Sequence, residues 1–290
     1  MRVWYRALTR IRKMRSTNPP PETPIKLSSP AVRLPLEIVE MIMTHLICDR
    51  QSLLACSLTC YSWYIAAVPH LHHTLTTETY GSHWFPHPEP KWPEPLLRMH
   101  NLGLLPLVKK LHIYQNPGLG MDGLFPRGFR RRILHHFSTL TNLQELGIDC
   151  LDIPKFSPEL QQCFHHFSPT LRTLTLREPS GSSRQIIYFI GLFQHLEDLK
   201  LLFDRERRAR DSQEGPVDDS TTPTPSFIPP LRGQLTMRFS RGVGLLKGMI
   251  DLFGGLRFHS VDLFCVDGMR LLLDACAGTL ETLRLCQAGQ

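Results

Sequence analysis

Two histidine pairs are the first residues in this sequence whose type and spacing suggest chemistry. His135-His136 and His165-His166 present imidazoles side by side, and imidazole is a common metal ligand. Each pair nevertheless stands in a similar string, Leu134-His135-His136-Phe137-Ser138 and Phe164-His165-His166-Phe167-Ser168, with no carboxylate at ligand spacing. Repetition of the whole string marks equivalent positions of two repeated units, at a helix preceding a strand, and not a metal centre. Cys48, Cys56, Cys60, Cys150, Cys163, Cys265, Cys276 and Cys286 contain no CxxC pair. They predict neither a zinc site nor a disulfide framework, but reduced thiols buried as small hydrophobes. The sequence has no GxxxxGK phosphate loop, no GxSxG elbow and no HExxH helix. Gly242-Val243-Gly244 is too short to cradle a phosphate, and no Cys–His pair is singled out as nucleophile and base. The expectation is a chain that is not an enzyme and uses no metal or cofactor.

Charge narrows the partners. The net charge is +7, which would favour acidic partners, but the basic residues are clustered. One cluster is Arg2, Arg6, Arg10, Arg12, Lys13 and Arg15, a second Arg127 and Arg130 to Arg132, and a third Arg205, Arg207, Arg208 and Arg210. The third is interleaved with Asp204 and Glu206 and reads as a solvated loop. The third also lacks the stacking aromatics of a nucleic-acid groove, and no nucleic-acid partner is expected. No run of ~18 apolar residues is present, so no membrane span or membrane partner is expected either. The reduced-thiol reading places the protein in the cytoplasm or nucleus. Residues 1–16 are Arg-rich and free of acids, a composition shared by transit peptides; the reading adopted is a basic tail.

These residues must be positioned by an ordered scaffold, and composition divides the chain accordingly. Residues 1–33 are basic and then proline-rich (Pro19, Pro20, Pro21, Pro24, Pro30) and predict a disordered tail. Residues 34–75 have a helical period. Residues 76–103 hold a second proline run, Pro86 to Pro95, interleaved with Trp84, Phe85 and Trp92, which predicts a strap anchored on the fold. Residues 104–290 carry short apolar alternations, interrupted at 204–230 by a charged and then Asp/Ser/Thr/Pro-rich stretch that predicts a disordered insertion. The sequence ends in Gln287-Ala288-Gly289-Gln290, directly after a strand-like segment. Terminal repeats normally carry a polar cap, so an exposed apolar end, as in a truncated product, is expected.

In the helical segment Pro35 suits a first helical turn, and Ile38, Val39, Ile42 and Leu46 then form one stripe. Asp49 is a plausible cap for a second helix bearing Leu53, Leu54 and Leu58. A third helix carries Trp63, Ile65, Ala66 and Val68 and is expected to stop before Pro69. About 40 residues bury little apolar surface unaided, so these helices must be covered by the rest of the chain or by another protein. Leu34-Pro35-Leu36-Glu37-Ile38, Ile42, Leu46, Leu53-Leu54, Ser57-Leu58, Cys60 and Trp63 resemble the F-box signature, with Thr59 where that family usually has Val. The resemblance implies a three-helix module that binds a Skp-type adaptor and through it a cullin. It implies adaptor contacts at Leu34, Pro35, Ile38, Ile42, Leu46, Leu53, Leu54 and Leu58, with Cys60 and Trp63 bracing the helices.

Downstream one motif recurs: Leu143-x-x-Leu146-x-Ile148, Leu171-x-x-Leu174-x-Leu176, Leu196-x-x-Leu199-x-Leu201 and Leu280-x-x-Leu283-x-Leu285. Looser copies are Leu111-x-Ile113, Leu235-x-Met237 and Val261-x-Leu263. From Leu111 to Leu283 the steps are 35, 28, 25, 36, 26 and 22 residues, the fourth spanning the expected insertion. The pattern resembles degenerate leucine-rich repeats, an α/β solenoid with one strand per repeat in a curved parallel sheet. The usual Asn closing each turn is absent. Strand alternation turns His112, Gly147, Thr175, Lys200, Thr236, Asp262 and Arg284 outward, with neighbours that include Tyr114, Arg177, Arg238 and Phe264. This surface suits a protein partner, and Tyr114, Arg177, Lys200 and Phe264 are the expected target-binding residues. Together the two resemblances imply a substrate-recognition adaptor of an SCF-type cullin-RING ubiquitin ligase; a scaffold whose F-box binds an adaptor outside any ligase is the other reading.

Overall fold

The computed structural model describes residues 34–78, 94–114, 136–150, 153, 158–203, 230–238, 243–253, 255–264 and 268–286. The expected tail (1–33) and nearly all of the expected insertion lie outside the described residues. The chain divides into two compact units at the Ala67/Val68 boundary.

The first unit is helical: α1 is Leu36–His45, α2 Arg50–Ser57 and α3 Tyr61–Leu71, the last turn of α3 falling in the second unit. Pro35 is the residue capping α1, one position before the first turn. Asp49 caps α2 by accepting hydrogen bonds from the backbone N–H groups of Gln51 and Ser52, both at 3.1 Å. The expected stop before Pro69 does not occur: α3 runs on to Leu71. Proline removes one donor, the one that would reach the Ile65 carbonyl, and the helix continues for two residues beyond it.

The second unit is built on eight strands: β1 Thr74–Glu78, β2 Lys110–Tyr114, β3 Glu145–Asp149, β4 Thr173–Arg177, β5 Asp198–Leu202, β6 Leu231–Arg238, β7 Leu256–Phe264 and β8 Thr282–Cys286. They form one parallel sheet in chain order. Parallel neighbours need a returning connection. Helices α4 (Glu94–Asn101), α5 (Pro158–His166), α6 (Ser183–Gly191), α7 (Val243–Leu252) and α8 (Met269–Cys276) lie in these returns, with a short 3-10 turn at Leu105–Leu107. The strap expected over 76–103 is therefore narrower. Its first residues complete β1 and its last form α4, because Leu96 and Met99 have core to enter; the aromatic stretch between them lies outside the described residues.

Register explains the recurring motif. Leu111, Leu146, Leu174, Leu199, Leu235, Val261 and Leu283 align as one row, and Ile113, Ile148, Leu176, Leu201, Met237, Leu263 and Leu285 as another. The first six of each row are buried, each such side chain contributing roughly 1.5–3 kcal/mol on leaving water. Leu283 and Leu285 on the edge strand β8 are exposed instead. Behind the sheet, Phe137, Phe164, Phe167, Phe189 and Phe193 meet at centroid separations of 5.4 to 6.4 Å, within the range of favourable tilted ring pairs.

The strand entries repeat as well. The carbonyls of His73, Lys109, Gln144 and Arg172 each accept from two successive N–H groups at the start of the next strand. At β6 the pattern changes. Gly233 has φ +91°, and a Cβ there would stand 2.0 Å from the Glu197 carbonyl oxygen, so only glycine fits. The β6–β7 register shifts at this point, between Gly233 and Gln234.

Candidate adaptor and target surfaces

Helix α1 and the residues before it divide their apolar side chains between interior and surface. Val39 and Met43, four apart, are buried, while Leu34, Leu36, Ile38 and Met41 stay exposed. Beyond α1, Ile47, Leu58, Tyr61 and Ile65 are exposed too. Eight of the thirteen exposed large apolar residues among the described residues thus fall between Leu34 and Ile65. Exposed large apolar residues concentrated in one segment in this way mark a candidate interaction site.

The structure sorts the eight expected adaptor residues. Leu34, Pro35, Ile38 and Leu58 are exposed, Leu58 most of all at 66 %, and Ile42, Leu46 and Leu54 are half-buried. Leu53 is 1 % exposed and belongs to the interior with Val39 and Met43. At helical spacing Leu53 and Leu54 point about 100° apart, so one can turn to the interior while the other stays half-buried. Cys60 and Trp63 are half-buried.

Residues 31–78 match the family model F-box-like. No curated protein matches the chain. The helical unit, with an F-box-like domain and an outward apolar face, is therefore followed in the chain by a parallel eight-stranded sheet with helices.

On the outward face of that sheet, the expected residues fall into register rows. Thr76, His112, Gly147, Thr175, Lys200, Thr236, Asp262 and Arg284 make the middle row. Glu78, Tyr114, Asp149, Arg177, Leu202, Arg238, Phe264 and Cys286 make the row at the strands' C-terminal ends. Three of the four expected target residues, Tyr114, Arg177 and Phe264, share this last row; Lys200 stands one row back.

Most charges on this face are already paired. Lys110 meets Glu145 at 2.7 Å, and Lys200 meets Asp198 at 2.8 Å. His112 Nε2 lies 3.0 Å from Asp149 Oδ1, and Arg177 Nη1 lies 3.9 Å from Asp149 Oδ2. Asp149 is buried although it stands on the outward face, because side chains from the two flanking strands cover it. Sequence alternation places Asp149 outward, but nothing in it signals this cover.

The histidine pairs are not equivalent in burial. His136 is buried in the helical turn before β3, 4.1 Å from the His100 ring, whereas His165 and His166 are exposed at the end of α5. His135 lies outside the described residues. Equivalence holds at the next position, where Phe137 and Phe167 are both buried. His165 and His166 line a groove of about 300 Å³ with Ser168, Pro169, Gln194 and His195. Among the described residues no three His, Cys, Asp or Glu are grouped to hold a metal.

Nor are most thiols buried as expected. Cys276 is the buried one among the described cysteines, Cys56, Cys60, Cys150 and Cys163 are half-buried, and Cys48 and Cys286 are exposed. Burial raises the Cys56, Cys163 and Cys276 thiols above their ordinary range, which keeps them protonated and poorly nucleophilic. No described helix is long and apolar enough to cross a membrane.

Proposed function

We propose that this chain is the substrate-recognition adaptor of an SCF-type cullin-RING ubiquitin ligase. The F-box-like unit binds a Skp-type adaptor, and through it a cullin. The parallel sheet is that of a degenerate leucine-rich-repeat solenoid, and its outward face holds the target. The observation that carries this reading is the outward apolar set around Leu34, Ile38 and Leu58 in a segment matching the F-box-like model. Leaving apolar surface of this kind in water is unfavourable, and the adaptor covers it.

In this reading the chain performs no bond chemistry. It holds the target beside a ubiquitin-loaded enzyme, which raises the effective concentration of the target's lysines, and its partners carry out the transfer. The polar, sequence-diverse outward face suits recognition of one protein among many, since charged and aromatic groups set specificity more than raw affinity.

Affinity purification of the full chain, with and without proteasome inhibition, tests the proposal. Skp-type adaptor and cullin should co-purify in both conditions, with target proteins enriched by inhibition. Adaptor without cullin, and no protein that accumulates on inhibition, would favour the scaffold reading instead.

A further inference from the structure

The last register row of the sheet has a charge pattern that the rest of the face lacks. Arg177 on β4 and Arg238 on β6 flank Leu202 on β5, and Tyr114 and Phe264 lie farther out on β2 and β7. The Arg177 side chain is 58 % exposed. Among the described residues its one ion-pair contact is the long 3.9 Å approach to Asp149 through Nη1, and a guanidinium carries five donors. Arg238 is exposed and makes no ion pair among the described residues. Lys110 and Lys200, by contrast, are engaged by Glu145 and Asp198.

We propose that this row is a docking site for an acidic, extended segment of the target protein, with one carboxylate on Arg177 and a second on Arg238. The inference rests on the reading that the sheet's outward face takes the target. Neighbouring strands are ~4.8 Å apart, so two steps separate the arginines by roughly 10 Å. A polyproline-II segment rises ~3.1 Å per residue with three residues per turn, which puts acidic side chains three apart on one face about 9 Å from each other. Leu202 offers the apolar floor between them, and Tyr114 and Phe264 offer rings at the two ends, as aromatic-lined grooves do for such segments.

The ligand charge is carboxylate. Each arginine stands alone, so each site supplies one guanidinium, which matches the planar, singly charged carboxylate in a two-bond fork. A phosphate dianion calls for converging cations, and the lysine next to the row is already paired with Asp198. Asp149 is buried with its oxygens facing His112 and Arg177, so it makes no direct contact with the ligand and its charge is partly offset by the guanidinium.

The test is binding of labelled peptide pools to the purified full chain, followed by fluorescence anisotropy. The pools have a fixed Glu-x-x-Glu, Gln-x-x-Gln or phosphoSer-x-x-phosphoSer frame and random positions elsewhere. The Glu pool should bind at least about tenfold tighter than the Gln pool and weaken with added salt, and Arg238→Ala should remove about tenfold. Arg238→Ala is the informative variant, since that side chain makes no ion pair among the described residues; Arg177→Lys keeps the charge that faces Asp149 and should lose the two-bond fork. Equal binding of the Glu and Gln pools, tighter binding of the phosphoserine pool, or an unchanged Arg238→Ala protein each overturns the proposal. The outward-face reading is separated by target capture from cells. If Tyr114→Ala with Phe264→Ala loses the captured proteins while Arg238→Ala with Arg177→Lys retains them, the face binds the target and the acidic segment is not its ligand.

Discussion

The His112 ring lies across Gly147: a Cβ at position 147 would stand 2.6 Å from His112 Cδ2. The two residues face each other in register on β2 and β3, so the missing side chain is what lets the imidazole lie flat and reach Asp149 at 3.0 Å. Gly147→Ala should lift the ring, break that hydrogen bond and expose a carboxylate that is now buried. His112→Ala removes the same partner directly. Depriving a buried polar group of its partner costs about 1–3 kcal/mol, and the two variants should agree within that range in denaturant unfolding. A silent Gly147→Ala beside a destabilised His112→Ala would show that the ring does not depend on the glycine.

Helix α6 opens with a capping box. Ser182 Oγ accepts from the Gln185 N–H at 3.3 Å, and Gln185 Oε1 accepts from the Ser182 N–H at 2.9 Å. Ser182→Ala should cost ~1 kcal/mol and lower the melting temperature by about 2–4 °C for a unit of this size. Ser182→Thr, which keeps the hydroxyl, should restore most of the loss in the same melt.

Asp49 offers a pH signature confined to the F-box-like unit. The Ser52 hydroxyl, first, and the Ser52 and Gln51 N–H groups hold its carboxyl below the ordinary value of 3.8. A carboxylate lowered in the folded state adds stability above its unfolded value, and that stability is lost as pH falls through the folded value. The α2 cap should therefore be intact at neutral pH and weaken in acid below that ordinary value. Asp49→Asn retains an acceptor while removing the titration, so its acid melting curve should be flatter than the parent's at the first unit.

How much of this was legible in the sequence differs from element to element. The strand positions were, because Leu-x-x-Leu-x-Leu fixes which side chains turn inward, and register joins them in two rows. Helix α2 was also legible, because Asp49 stands one residue ahead of it. The continuation of α3 through Pro69 was not, because proline in a helix costs a hydrogen bond without forbidding a further turn. Which of Leu53 and Leu54 faces in was equally hidden, since helical phase is set by packing. The burial of Asp149 depends on His112 and Arg177, 37 and 28 residues away in the chain, and no local pattern reports such cover.

Zinc distinguishes a repeat position from a metal ligand. His136 is buried against the His100 ring, and His165 and His166 face a groove with Ser168 and Gln194. If these are packing and surface residues, micromolar zinc should leave the melting temperature of the full chain unchanged. A ligand that binds only the folded state must raise it by mass action, so a rise of several degrees would contradict this assignment.

Adaptor binding tests the central claim most directly, and the exposures specify which variants to compare. Leu34→Ala with Pro35→Ala, and separately Ile38→Asp with Leu58→Asp, alter exposed positions of the F-box-like unit; Leu53→Ala alters a buried one. Titration of a purified Skp-type adaptor against each full-chain protein, with the melting temperature measured in parallel, separates contact from folding. Both exposed double variants should lose adaptor binding while melting like the parent, because apolar anchors at an interface each contribute ~1.5–3 kcal/mol. Leu53→Ala should instead lower stability by about 2–5 kcal/mol. Undiminished adaptor affinity in both exposed double variants would contradict the account.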